Sequence, residues 1–126
     1  MKEIVYTSNA PAPIGPYSQA VKVGGLVYVS GQIAIEPSSG ELKMGSIAEE
    51  TEMVLNNLGA VLKEAGSDFN RIIKTSIFLS DMSLFAEVNA IYSKRFTSDF
   101  PARETVAVAG LPKGVNVEIS AIAIAD

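Results

Sequence analysis

An arginine and a glutamate stand inside two otherwise largely apolar, strand-like stretches of the chain. Arg103 opens residues 103–108, Arg-Glu-Thr-Val-Ala-Val, and Glu118 lies within residues 115–122, Val-Asn-Val-Glu-Ile-Ser-Ala-Ile. Arginine offers a planar, permanently charged fork that grips a carboxylate, and a glutamate near it can take or deliver a proton. The chain has no histidine and no cysteine, which removes the commonest general base, thiolate catalysis, disulfides and the usual zinc and iron–sulfur ligands together. Chemistry here has to run on carboxylates, guanidinium, hydroxyls, amides and water. Both charges also have plainer readings, Arg103 as a solvated strand-end arginine and Glu118 as a charge that keeps a strand edge from aggregating.

Elements must bring such residues together. Residues 21–29, Val-Lys-Val-Gly-Gly-Leu-Val-Tyr-Val, read as a hairpin, because a Gly-Gly pair accepts the positive φ that two-residue turns need. If Val23 faces Leu26, then Gln19 faces Ser30 and Tyr17 faces Gln32, and the period of two puts these four polar-tipped residues on one face. Upstream, residues 10–16 hold three prolines and a glycine; they form a shaped loop leading into Tyr17. Ser30-Gly31-Gln32 is weak evidence alone, since Ser-Gly pairs are ordinary turn residues and no base adjoins Ser30 to make it a nucleophile.

Ser46 followed by Glu49 is a capping-box pattern, and Ile47, Thr51, Val54, Leu55, Leu58, Val61, Leu62 and Ala65 then recur at helical spacing up to Gly66. Glu49, Glu50 and Glu52 read as a charged first turn rather than a metal site. Residues 71–79 are a β-branched-rich run and read as a central strand. A second helix is expected over roughly residues 83–97, with Phe85, Val88, Tyr92 and Phe96 as its apolar stripe. Asn89 lies on that stripe, either satisfying buried backbone or lining a pocket.

Pro101 separates this helix from two final strands joined around residues 110–114. With a four-residue loop they form a hairpin that places Arg103, Thr105, Glu118 and Ser120 on one face; an odd loop breaks that placement. The order is strands, helix, strand, helix, strand, strand, a single α+β domain over residues 1–126. Two right-handed crossovers cover one sheet face and leave the other open. The last strand is apolar on both sides, so burial against other copies is expected: a homo-oligomer built on sheet faces.

Composition sets the outer bounds. With 48% hydrophobic and 19% charged residues the chain is an ordinary globular one. Its net charge of −4 and scattered Lys and Arg oppose nucleic acid. No stretch approaches the roughly 20 apolar residues of a membrane span, and the N-terminus lacks a signal-peptide pattern, so the expected location is cytoplasmic, with no membrane partner. No phosphate-binding glycine fingerprint precedes either helix, and no metal or cofactor is indicated.

Five segments in combination resemble the Rid family, the reactive intermediate deaminases, and closely its RidA type. They are residues 10–20 (Ala-Pro-Ala-Pro-Ile-Gly-Pro-Tyr-Ser-Gln-Ala), residues 29–33 (Val-Ser-Gly-Gln-Ile), residues 88–92 (Val-Asn-Ala-Ile-Tyr), residues 100–103 (Phe-Pro-Ala-Arg), and Leu111-Pro112-Lys113 followed by Val117-Glu118-Ile119. The resemblance implies a chorismate-mutase-like α+β fold, a mixed sheet with two helices on one face, assembled as a homotrimer with active sites in the clefts between subunits. It implies hydrolysis of reactive enamines and imines such as 2-aminoacrylate, 2-iminopropanoate and 2-iminobutanoate, released by pyridoxal-phosphate enzymes, to 2-keto acids and ammonia. By position, Arg103 would clamp the substrate carboxylate and Glu118 would activate water. Tyr17, Ser30 and Asn89 would line the pocket, Tyr17 among the catalytic groups, and the backbone at Gly31 and Thr105 would offer hydrogen bonds.

Many members carry cysteine where this chain has Thr105, and a small residue where it has Glu104. A thiol role is therefore closed to it, and water addition remains. The alternative implied by the family is a non-catalytic regulator binding small carboxylates or partner proteins in the same clefts; a nuclease role, attached to some relatives, is opposed by the acidic balance.

Overall fold

The computed structural model describes residues 1–126. Three strands come first, β1 (Glu3–Val5), β2 (Ala20–Val23) and β3 (Leu26–Gln32). Gly24 and Gly25 both take positive φ, 59° and 79°, so β2 and β3 meet with Val23 opposite Leu26, the expected register. The three-residue β1, too short to stand out in the sequence, pairs with β2.

Helix α1 (Ile47–Glu64) starts where its cap says it should: Ser46 Oγ accepts from Glu49 N at 3.0 Å, and the Glu49 carboxylate reaches back to Gly45 N at 2.8 Å. Gly66, at φ 82°, lets the chain leave. The inward stripe Val54, Leu55, Leu58, Val61 and Leu62 has no exposed surface, each side chain contributing about 2 kcal/mol relative to exposure. Glu50 departs from the expected charged first turn and is fully buried. Strand β4 (Ile72–Leu79) follows. Helix α2 (Phe85–Ser93) is shorter than expected, because residues 82–84 form a tighter 3-10 turn and the helix stops at Ser93; Val88, Tyr92 and Phe96 are nevertheless buried. Strands β5 (Ala102–Ala107) and β6 (Val117–Ile124) complete the mixed α+β architecture.

The strand order is β1-β2-β3-β6-β4-β5, and it overturns the expected final hairpin. β5 runs parallel to β4 at the sheet edge, while β6 lies between β3 and β4, antiparallel to both. The physical reason is the slot left between β3 and β4 once α1 has crossed over. Filling it gives β6 a hydrogen-bonded ladder on each side, whereas a β5–β6 hairpin would satisfy one side and leave the slot open. β4 is thus an interior strand with a neighbour on each side.

Both helices pack on one face, enclosing the core with Val117, Ile119, Ala121 and Ala123 of β6. The other face carries Tyr28 and Val106, 44% and 43% exposed, beside a polar cluster in which Lys74 Nζ lies 3.3 Å from Glu104 and the Ser76 hydroxyl bonds the same carboxylate. That cluster holds the Glu104 carboxyl below its usual range, chiefly through Ser76 and then Lys74. This face is a mixture of apolar and polar residues, because Glu118 and Ser120 interrupt the apolar side of β6.

Candidate active site

Arg103 stands opposite Thr75 in the β4–β5 ladder. Thr75 is buried on the helix face, so Arg103 points to that side too, where α2 receives it. Its Nη1 donates to Asn89 Oδ1 at 2.7 Å, and its guanidinium carbon lies 5.0 Å from the Tyr92 ring centre and 5.6 Å from that of Phe85. Phe85, Asn89 and Tyr92 follow helical spacing, so one stripe of α2 supplies the whole seat. Tyr92 shares a hydrogen bond of 2.8 Å with Thr75 Oγ1. Burial pushes the Tyr92 phenol up, against smaller opposing effects of Thr75 and Arg103. Arg103 opens into a cavity of about 440 Å³ lined also by Ser93, Phe100 and Pro101.

Glu118 is placed by β6 opposite Phe78 of β4. On its other side the register slips: Val29 pairs with Ala121 and Gln32 with Ile119, so Ser30 and Gly31 together oppose one residue, a β-bulge. The bulge brings Gly31 under the Glu118 side chain, where a Cβ would sit 2.7 Å from the carboxyl carbon. Glycine is needed there for close approach. Burial raises the Glu118 carboxyl above its usual range.

Tyr17, Gly31 and Glu118 share a smaller cavity, about 80 Å³, with Pro11, Ile14 and Pro112. The loop of residues 10–16 is latched there by Gln19, which is 2% exposed. Gln19 Oε1 accepts from Thr7 N at 2.7 Å, while its Nε2 donates to the carbonyls of Thr7 at 3.0 Å and Pro11 at 2.9 Å. Gln19 and Gln32 also border this cavity. The expected common face of Tyr17, Gln19, Ser30 and Gln32 is nevertheless broken by the bulge. Ser30 spends its hydroxyl on the Ser18 carbonyl at 2.6 Å and does not line the cavity.

The expectation that Arg103, Thr105, Glu118 and Ser120 share a face is also overturned. Arg103 and Thr105 face the helices, as their β4 neighbours Thr75 and Ile77 do, whereas Glu118 and Ser120 face away from them. Within one chain, Arg103 and Glu118 are separated by β4, about 10 Å across two strand spacings, and stand on opposite sides of the sheet. Thr105 lines neither cavity, and its buried Oγ1 has no hydrogen-bond partner, at a cost of about 1–3 kcal/mol. Sequence reasoning missed the seats: Tyr92 looked like core, and Gln19 like one more polar tip.

The family model described as endoribonuclease L-PSP matches residues 7–125. The chain belongs to this L-PSP, or Rid, family. Among its Rid relatives, the mouse 2-iminobutanoate/2-iminopropanoate deaminase is 49% identical over 124 residues, 98% of this chain and 92% of that protein. A Lactococcus lactis protein described as a candidate regulator, AldR, is 53% identical over 96% of each chain. The Rid-family protein YyfA from Yersinia pestis superposes with a TM-score of 0.96 at 46% identity, covering 98% of this chain and 99% of that one. Escherichia coli TdcF with bound serine superposes at 0.92 with 37% identity over the same shares.

Proposed function

We propose that this Rid protein hydrolyses 2-imino acids and their enamine tautomers to 2-keto acids and ammonia, as the names of its deaminase relatives describe for them. The observation that carries the reading is the state of Arg103. Its neighbours are two aromatic faces and a neutral amide, and no carboxylate lies within ion-pair distance of it. A fixed, uncompensated guanidinium at the mouth of a cavity is set to take a carboxylate.

Arg103 binds the substrate carboxylate, oriented by Asn89. Glu118 removes a proton from water as the oxygen bonds to the imine carbon, and the nitrogen takes up a proton as the C=N double bond becomes single. The resulting carbinolamine loses ammonia as its hydroxyl becomes the keto group, so one water is consumed and one ammonia released. Raising the carboxyl toward the working pH is what a general base requires. Tyr17 lines the water side, and the main chain at Gly31 and Thr105 offers hydrogen bonds to the substrate; Ser30 contributes through the bulge. No step needs a cofactor.

Because Arg103 and Glu118 face opposite ways in one chain, the site is completed by Arg103 of one copy and Glu118 of another. The reading is therefore of an oligomer with clefts between subunits, a homotrimer as the family resemblance implies, working in the cytoplasm beside the pyridoxal-phosphate enzymes that release such imines. No helix is long and apolar enough to cross a membrane.

The deciding experiment couples the protein to a serine or threonine dehydratase and follows keto-acid formation. Acceleration over buffer, lost in Arg103→Ala, is expected; no acceleration ends the deaminase reading. The regulator description of the Lactococcus relative gives a second reading, which keto-acid binding by calorimetry without turnover would favour. An RNA substrate fits a chain of net charge −4 poorly, and RNA left intact by the protein is the expected result.

A further inference from the structure

Glu50 is the only acidic side chain among the buried residues, with no exposed surface, although it sits on the first turn of α1 where a glutamate ordinarily faces water. No lysine or arginine is within ion-pair distance. Instead three N–H donors converge on it: Asn116 N at 2.7 Å and Val117 N at 2.9 Å on Oε2, and Asn116 Nδ2 at 3.0 Å on Oε1. All three come from the two residues directly before Glu118. The same Asn116 is tied to the end of β4, its carbonyl accepting from Ser80 N at 3.0 Å and its Oδ1 from Ser80 Oγ at 2.9 Å.

The need for this anchor follows from the bulge. On the β3 side the β6 ladder ends at the Gln32–Ile119 pair, so Val117 and Glu118 have no partner there. The sheet alone holds the entry of β6 from the β4 side only. An apolar residue at position 50 would fill the space but leave the N–H groups of Asn116 and Val117 unpaired.

We propose that Glu50 is a positioning residue for Glu118: from within the helix layer it fixes the backbone of Asn116 and Val117, and so sets where the Glu118 carboxylate stands on the opposite face of the sheet. This rests on the deaminase reading with Glu118 as the water-activating base. Its role is distinct from filling the core, because its bonds lead to the catalytic strand and to nothing else.

The test is a double-mutant cycle in the dehydratase-coupled assay. Glu50→Gln keeps the shape and one acceptor oxygen, and it should lower kcat about tenfold with KM close to wild type. In a Glu118→Gln background the same change should alter the residual rate less than about twofold, because its target is already gone. An equal loss in both backgrounds, or an unchanged kcat, overturns the proposal. Should Glu50→Gln fail to fold, Asn116→Ala removes the Nδ2 donor to Glu50 together with the Ser80 Oγ bond to Oδ1 and should lower kcat more than Ser80→Ala does, with KM unchanged; full activity of Asn116→Ala also overturns it. A readout independent of turnover is the carbon-detected NMR titration of the Glu118 carboxyl. A midpoint displaced by Glu50→Gln supports positioning even if wild type shows no deaminase activity, in which case only the reaction assignment falls. An undisplaced midpoint refutes positioning whatever the activity.

Discussion

Gly31 and Glu118 occupy one small volume, and the absent Cβ of the first is the room in which the second lies. The atom a new methyl group would meet is the end of a flexible side chain, so Gly31→Ala should fold with a melting temperature near wild type while pushing the carboxylate aside. Displacement on the ångström scale costs on the order of 10²-fold in rate, and kcat measured beside a thermal melt checks both halves. Glu118 itself should weigh on stability. Burial raises its carboxyl above the usual value, so the folded state binds the proton more tightly than the unfolded chain does. That contribution is fully present below the unfolded-state pKa and is lost as pH rises through the folded one. Glu118→Gln should therefore melt higher than wild type at neutral pH, the gap closing on acidification toward about pH 4. Melts across that range that keep a constant gap would refute it.

Between elements, the β4–α2 hydrogen bond of Thr75 and Tyr92 holds in place one of the rings that seat Arg103. Thr75→Val keeps the shape and strands a buried phenol; it should destabilise by about 1–3 kcal/mol and raise KM more than it lowers kcat, measured by denaturant melts and steady-state kinetics. What could be read of the elements in advance was local in origin. The Gly24-Gly25 turn and the Ser46–Glu49 cap carry their instructions within a few residues, and both stand as expected. The insertion of β6 between β3 and β4 is decided by an opening that α1 creates many residues earlier, so a short loop before β6 imitated a hairpin. The bulge at Ser30 and Gly31 and the burial of Glu50 were hidden in the same way, since each depends on a partner distant in sequence.

For the whole molecule, Arg103 and Glu118 were identifiable as chemical groups from the chain alone, but their separation by a sheet was not. That separation makes the assembly testable by mixing. Arg103→Ala and Glu118→Ala should each be inactive alone. Refolded together at equal ratio, they should recover about a quarter of wild-type activity, since a random neighbour pair supplies one intact arginine and one intact glutamate with that frequency. No recovery, with mixed oligomers shown by mass spectrometry, would place the site within one chain.

The central place of β6 has a consequence for synthesis. β3 and β4 leave the ribosome well before the strand that joins them, and until it arrives each exposes an unpaired edge. From the emergence of β4 until β6 arrives the sheet exists as two incomplete halves, an interval in which holding chaperones should raise the yield of folded protein. Shortening it within Val117–Ile124 should cost the fold as a deletion through the core would.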